Sequence, residues 1–369
     1  DSELRRCKYG LLVKDDGLAG TFVTATGNVI SENQIGVRVD TECCDEPYPS
    51  QLKVRENTID GNVDGAVSAE GGDNPRQTEL DFTDNWWGTT DAVEIAGRIR
   101  DQSDAGDAAF VEFLPLWDSP PGENPSPTRT GPGGETFWSG RVDQAQTWSP
   151  GDQTTLVGKT IFTASLTIEA GTTIEAVDDA LIAKGPLTAT GTSDQPITFT
   201  SHATPRNPGQ WDGIVLEGGT QTDQVKHWRV RYARQGLTIE NIQPSSPLPV
   251  ESVEVDSVSG AGVRLDQSSV SATGWSVSSA NTGIAITDAQ AEVTGATIEN
   301  VGSQGVLLKG DDTDATVSGV TIEQSGAKVR TGSCVWVRDD ITLDLSDSEL
   351  RRCKYGLRVR DYGLAGTFV

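Results

Sequence analysis

From Trp211 onward, a glycine followed by alternating apolar and polar positions returns at short intervals. It reads GIVLE (213–217), GLTIE (236–240), GVRLD (262–266), GIAIT (283–287), GVLLK (305–309) and GLRVR (356–360). The first four spacings are 23, 26, 21 and 22 residues, and CVWV (334–337) fills the one longer gap. Companion runs recur between them, VTGATIEN (293–300) aligning with VSGVTIEQ (317–324). Strict alternation with β-branched side chains predicts two or three short half-buried strands per unit. The pattern extends to GVRVD (36–40) and, more weakly, GAVSAE (65–70).

A short period built of strands and turns excludes the helical ankyrin, tetratricopeptide and HEAT arrays, and is too short for a propeller blade. No leucine ladder with its asparagine marks a leucine-rich repeat. What remains is an all-β solenoid, a parallel β-helix whose coils stack and bury their inward residues in one apolar column, with glycines at the corners. Residues 119–133 interrupt it. The stretch PLWDSPPGENPSPTRTGPGG (115–134) holds six of the seventeen prolines, a linker composition. The expected organisation is therefore 1–118 as the C-terminal part of one β-helix module, a Pro/Gly-rich linker at 119–133, and 134–369 as the N-terminal and central part of the next. The first module should close in NWWG (85–88) followed by a short helix over 91–101.

A much longer repetition overlies the short one. DSELRRCKYGLLVKDDGLAGTFV (1–23) returns as DSELRRCKYGLRVRDYGLAGTFV (347–369), matching at 20 of 23 positions with an offset of 346. The three differences, at Leu12/Arg358, Lys14/Arg360 and Asp16/Tyr362, mark a drifted repeat. The chain reads as a window slightly longer than one period of a tandem array. No signal-peptide pattern, run of 18 apolar residues or methionine occurs, which suits an internal or processed segment.

Charge narrows the setting. Acidic residues outnumber basic ones 54 to 29, a formal net charge of −25, which argues against a nucleic-acid partner. Such an excess repels itself in dilute buffer but is screened in concentrated salt. One long period holds four cysteines, Cys7 (equivalent to Cys353), Cys43, Cys44 and Cys334, an even count that suits an oxidising, extracellular location. All five are disulfide candidates. Cys334 and Cys353 lie 19 residues apart, about one coil. No CxxC pair or Cys/His cluster suggests zinc.

The opening LTIEAGTTIEA…LIAKGPLTATGTSDQPITFTS…GQWDGIVLEGG (166–219) and the turn Asn85-Trp86-Trp87-Gly88 resemble the right-handed parallel β-helix proteins of the pectate-lyase-like class, in particular their cell-surface branch. The composition resembles that of proteins from extreme halophiles, pointing to archaea. The resemblance implies entry coils near 166–219 and a closing turn at 85–88. Physically, open solenoid ends expose strand edges and an apolar column. Asn85, Trp86, Trp87, Gly88, Trp138 and Trp148, with Phe137, are the expected covers, although aromatic pairs can also serve as sugar platforms.

Enzymes of that class place Asp, Arg or Lys in an external groove, with calcium, to act on acidic polysaccharides. Here the clusters Asp311/Asp312/Asp314, Asp339/Asp340 with Arg338, and Asp15/Asp16 fall on presumptive turns of a carboxylate-rich chain and read as solvating groups. Asp311, Asp312 and Asp314 are the candidate calcium ligands, since close oxygens on a turn suit a hard cation, but the EF-hand glycine and distant Glu are absent. In KHWRVRYAR (226–234), His227 offers an anionic-glycan contact, while Arg229 and Arg231 are expected to alternate outward and pair with acidic neighbours. The repeated Arg351-Arg352 pair suggests lateral contacts between arrays. No GxSxG, HExxH or phosphate-binding glycine loop is found.

The expected function is structural, a repeat module of an extracellular or cell-surface fibre, stalk or adhesin, without catalysis or cofactor. Its expected partner is itself, as covalent tandem repeats or a head-to-tail homopolymer, with surface glycans as a further partner. The alternatives are a polysaccharide lyase or hydrolase and a non-catalytic glycan-binding module.

Overall fold

The computed structural model describes residues 2–15, 23–41, 52–69, 79–102, 109–218, 224–324, 332–339 and 341–360. It is an all-β parallel solenoid, as the alternation predicts. The chain divides into two compact units, Asp1–Arg141 with Gln153–Thr160, and Val142–Asp152 with Ile161–Val369.

In the first unit three parallel sheets form the walls. One contains Glu3–Arg5, Val29–Ser31 and Thr58–Asp60, and a second runs Tyr9–Asp15, Ile35–Thr41, Gly65–Ser68 and Ile99–Arg100. The third runs Val23–Thr26, Leu52–Arg55, Glu79–Asp81 and Phe110–Glu112. Registers place like residues over one another, Leu4 on Ile30 on Ile59 and Val13 on Val39. The helix is shorter than the expected 91–101. It spans Ala92–Ala96, with Asp91 Oδ1 capping the N–H groups of Val93 and Glu94. Gly97 ends it, and Ile99 is drawn into the core as a strand beside Val67. Within the proline-rich stretch, Leu116–Trp117 pairs antiparallel with Pro127–Thr128.

In the second unit each coil carries three strands, for example Thr282–Thr287, Gln290–Thr294 and Thr297–Glu299. The inward positions form continuous columns, one running Val263, Ile284, Val306, Val335, Leu357. A second runs Val255, Val277, Ile298, Ile322, Leu350. Most of these side chains are fully buried, each contributing about 2 kcal/mol of apolar transfer energy.

Left-handed residues turn the chain at the corners, whereas the recurrent glycines expected there, such as Gly262 and Gly305, lie within strands. At one corner of each coil a residue adopts a left-handed backbone, as at Asn241, Gln267, Asp288, Gly310 and Asp339 (φ 57, 46, 45, 90 and 71°). Glycine and Asn/Asp tolerate this conformation best. The glycines Gly262 and Gly305 of the alternating units, which lie inside strands, have a different cause. A Cβ on Gly305 would lie 2.6 Å from the carbonyl oxygen of Cys334, and one on Gly262 would lie 2.8 Å from that of Gly283. The coils therefore approach backbone to backbone, which only glycine permits.

Candidate assembly site: the repeated coil

The repeated segment folds the same way twice. Glu3–Arg5 and Glu349–Arg351 are both short strands, followed by Arg6 and Arg352 with φ of 58° each, then by Tyr9–Asp15 and Tyr355–Arg360. Small contacts repeat too. The Lys8 ammonium sits 5.0 Å from the Tyr9 ring centre, and Lys354 sits 5.1 Å from that of Tyr355. The Cys7 thiol lies 3.3 Å from the Arg5 carbonyl, and Cys353 lies 3.2 Å from that of Arg351.

Their neighbours differ, because one copy is described with the coil that follows it and the other with the coil that precedes it. In the first unit two asparagine ladders reach the repeated coil. Asn28 Oδ1 accepts the Ser2 N–H at 3.2 Å, Asn57 Oδ1 accepts the Asn28 N–H at 2.9 Å, and Asn85 Oδ1 accepts the Asn57 N–H at 2.9 Å. Five residues on, Asn33 Oδ1 accepts the Cys7 N–H at 3.0 Å and Asn62 Oδ1 accepts the Asn33 N–H at 3.1 Å. The amide groups of Asn33, Asn57 and Asn85 are wholly buried, so their satisfaction by neighbouring coils fixes the register.

In the second unit the coil is tied to the one before it. Cys353 and Cys334 form a disulfide with Cα atoms 5.6 Å apart. Ser333–Arg338 pairs in register with Tyr355–Arg360, placing Trp336 beside Arg358. The guanidinium groups of Arg358 and Arg338 lie 4.6 and 5.3 Å from the centre of the Trp336 ring.

The repeated arginines act along the stack. Arg6 Nε donates to Glu32 of the following coil at 2.8 Å, and Arg352 pairs with Glu323 of the preceding coil at 3.3 Å. The Arg6 hydrogen bond and charge hold the Glu32 carboxyl below the usual carboxylate range.

The remaining sequence-predicted residues fall as follows. Asn85 ends an asparagine ladder and donates to the carbonyls of Val54 and Phe82, both at 2.6 Å. Trp87 is buried edge-on to Phe113 at 6.3 Å, Trp86 is half-buried, and Gly88 is exposed with φ 85°. Phe137 and Trp138 are buried, the latter under the Arg129 guanidinium at 5.1 Å, and burial lowers the Arg129 pKa. Trp148 packs edge-on to Phe162 at 5.3 Å.

Asp311, Asp312 and Asp314 are exposed. The first two line a shallow groove with Gln243, Gln267, Asp288 and Gln290. Among the described residues no three His, Cys, Asp or Glu side chains converge to hold a metal ion. Asp339 accepts the Gly310 N–H at 3.2 Å. Arg229 and Arg231 do alternate outward, both pairing with Glu254, at 3.0 and 2.7 Å, while His227 occupies a left-handed corner. Cys7 is exposed and free. Cys43, Cys44, Asp16 and Asp340 lie outside the described residues, and Asp15 is placed by its backbone alone.

Residues 140–234 match the family described as the pectate-lyase like beta helix domain. The match covers the entry coils on which the sequence resemblance rests, and the parallel stack carries the same architecture onward. No curated protein and no solved structure matches the chain. A shared β-helix does not assign an activity, because one fold hosts many.

Proposed function

We propose that the protein is a structural repeat module of an extracellular or cell-surface fibre, stalk or adhesin of a salt-loving microbe, partnered by further copies of itself and carrying no catalytic role. The single observation behind this reading is the 346-residue repetition of a coil that folds alike in both places. The net charge of −25 supports a saline setting, where hydrated carboxylates keep a long assembly soluble. The test is the mass of the native polypeptide under reducing, denaturing conditions. A mass many times 39.2 kDa supports a covalent array, and a single species near that value overturns it.

A glycan-binding module is a second reading, favoured by Trp336 close to the guanidiniums of Arg338 and Arg358, the latter also beside Tyr355, an aromatic and cationic cluster on an acidic protein. Stacking with charge pairing suits anionic sugars. A glycan-array screen in high salt, with Trp336→Ala as control, tests it. Release of unsaturated or reducing sugars from acidic polysaccharides would instead establish a lyase or hydrolase.

A further inference from the structure

The two copies of the repeated coil each show half of one environment. Val13 is 4% exposed because Val39 of the following coil covers it, whereas the equivalent Val359 is 45% exposed. Leu357 is 38% exposed, while the equivalent Leu11 is half-buried over Val37. A Cβ on Gly10 would meet the Gly36 carbonyl at 2.7 Å, while one on Gly356 would meet nothing closer than Leu350 at 3.9 Å. The three compared pairs (Leu11/Leu357, Val13/Val359 and Gly10/Gly356) are identical in the two copies, and they differ in what stacks on them: Val37 and Val39 lie over the first copy.

We propose that the exposed face of the coil Glu349–Arg360 is the seat of a second copy of this chain's own segment Val29–Thr41, so that the β-helix runs without a break from one repeat into the next. This rests on the tandem reading above and adds the joint. Joining the two half-environments gives a coil satisfied on both sides. Val335 and Val337 lie on one side of Leu357 and Val359, and counterparts of Val37 and Val39 lie on the other. The Ser348 and Cys353 N–H groups take the place of those of Ser2 and Cys7, which Asn28 and Asn33 accept.

Charge fits as well. Arg338 and Arg360 stand side by side in the ladder, while the equivalent Lys14 faces Asp40. In the joined stack a counterpart of Asp40 stands in register with Arg360, as Asp40 does with Lys14. Arg352, already paired with Glu323, gains a counterpart of Glu32, so one guanidinium spans two coil junctions. In the same frame Cys7 is the second half of a bond to a Cys334 of the preceding copy, formed as Cys353 forms it here.

The experiment compares the 369-residue chain with a two-repeat chain made by joining Val369 to Thr24 of a second copy. Hydrogen exchange is followed by mass spectrometry on the peptide spanning Cys353–Arg360 at the internal joint and at the C-terminal position. The expected result is slowing at the joint of about 100-fold or more, reaching that of Thr282–Thr287. Asn28→Ala and Asn33→Ala in the second copy should reduce the slowing at the joint while leaving Thr282–Thr287 unchanged. Equal exchange at both positions, with the Thr282–Thr287 coils of both copies protected, overturns the proposal. So does full protection of the peptide in the single-repeat chain, which would place another part of the same molecule over the face. A high native mass with an unprotected joint would leave the array and remove the continuity. A protected joint with a native mass near 39.2 kDa would do the reverse.

Discussion

Asn57 places both its backbone N–H and its side-chain amide on one oxygen, Oδ1 of Asn85, at 2.9 and 3.1 Å. Both residues are fully buried, and Asn85 returns its own amide hydrogens to the carbonyls of Val54 and Phe82. Asn85→Ala strands donors and acceptors together, each worth about 1–3 kcal/mol when left unsatisfied. The expected loss is about 3 kcal/mol, read as a lower urea midpoint. Asn28→Ala, at the half-buried end of the same ladder, should cost less.

The Cys334–Cys353 bond closes a loop of 19 residues, for which chain-entropy arguments give about 3 kcal/mol. Reduction, or Cys353→Ser, should lower the thermal midpoint of the second unit. Cys7→Ser should not change stability in the 369-residue chain, and Cys7 should react with maleimide under native conditions.

Gly305→Ala and Gly356→Ala make a matched pair at equivalent positions of different coils. The first drives a methyl to 2.6 Å from the Cys334 carbonyl and should cost about 1–3 kcal/mol; the second meets Leu350 at an ordinary 3.9 Å and should be near neutral. Chemical denaturation of both variants checks the difference.

Glu217, Glu240 and Asp266 stack in register on three successive coils. Partial burial, then the Glu217 and Asp266 charges, raise the Glu240 pKa above its ordinary value near 4.5, against the opposing charges of Arg264 and Lys184. The folded state therefore binds this proton more tightly than the unfolded state. Stability from this site falls as pH rises from about 4.5 through the folded pKa and is flat above it. Glu240→Gln should raise stability at pH 7 by about 0.5 kcal/mol, the scale of a like-charge ladder pair. The gain should vanish in acid and shrink in molar salt, as paired thermal melts will show.

The fold was legible because its signal is periodic. Alternation marked the inward columns, and the recurring glycine marked the close approach of coils without revealing that a carbonyl is what it makes room for. The asparagine ladders were written just as plainly, in Asn28, Asn57 and Asn85 and in Asn33 and Asn62, two series whose members recur every 28 or 29 residues. They went unread because an isolated asparagine looks like a solvated turn residue, and only coil register shows its amide lying under the next one. The helix was overextended because VEIAGRIR carries helical spacing, while the pull of Ile99 into the sheet is a tertiary effect. The Trp336–Arg358 pair was likewise invisible, since the two are 22 positions apart in sequence and adjacent only through the ladder.

Ladder hydrogen bonds in the second unit run between coils, so a force pulling its coils apart loads one ring of weak bonds after another. At Ser333–Arg360 that sequence is broken, because the Cys334–Cys353 bridge carries the load through a covalent bond. Stretching would therefore peel coils on either side before it opened this one. The coil that carries the repeated sequence would be the last to part from its neighbour, a rivet set where one period meets the next.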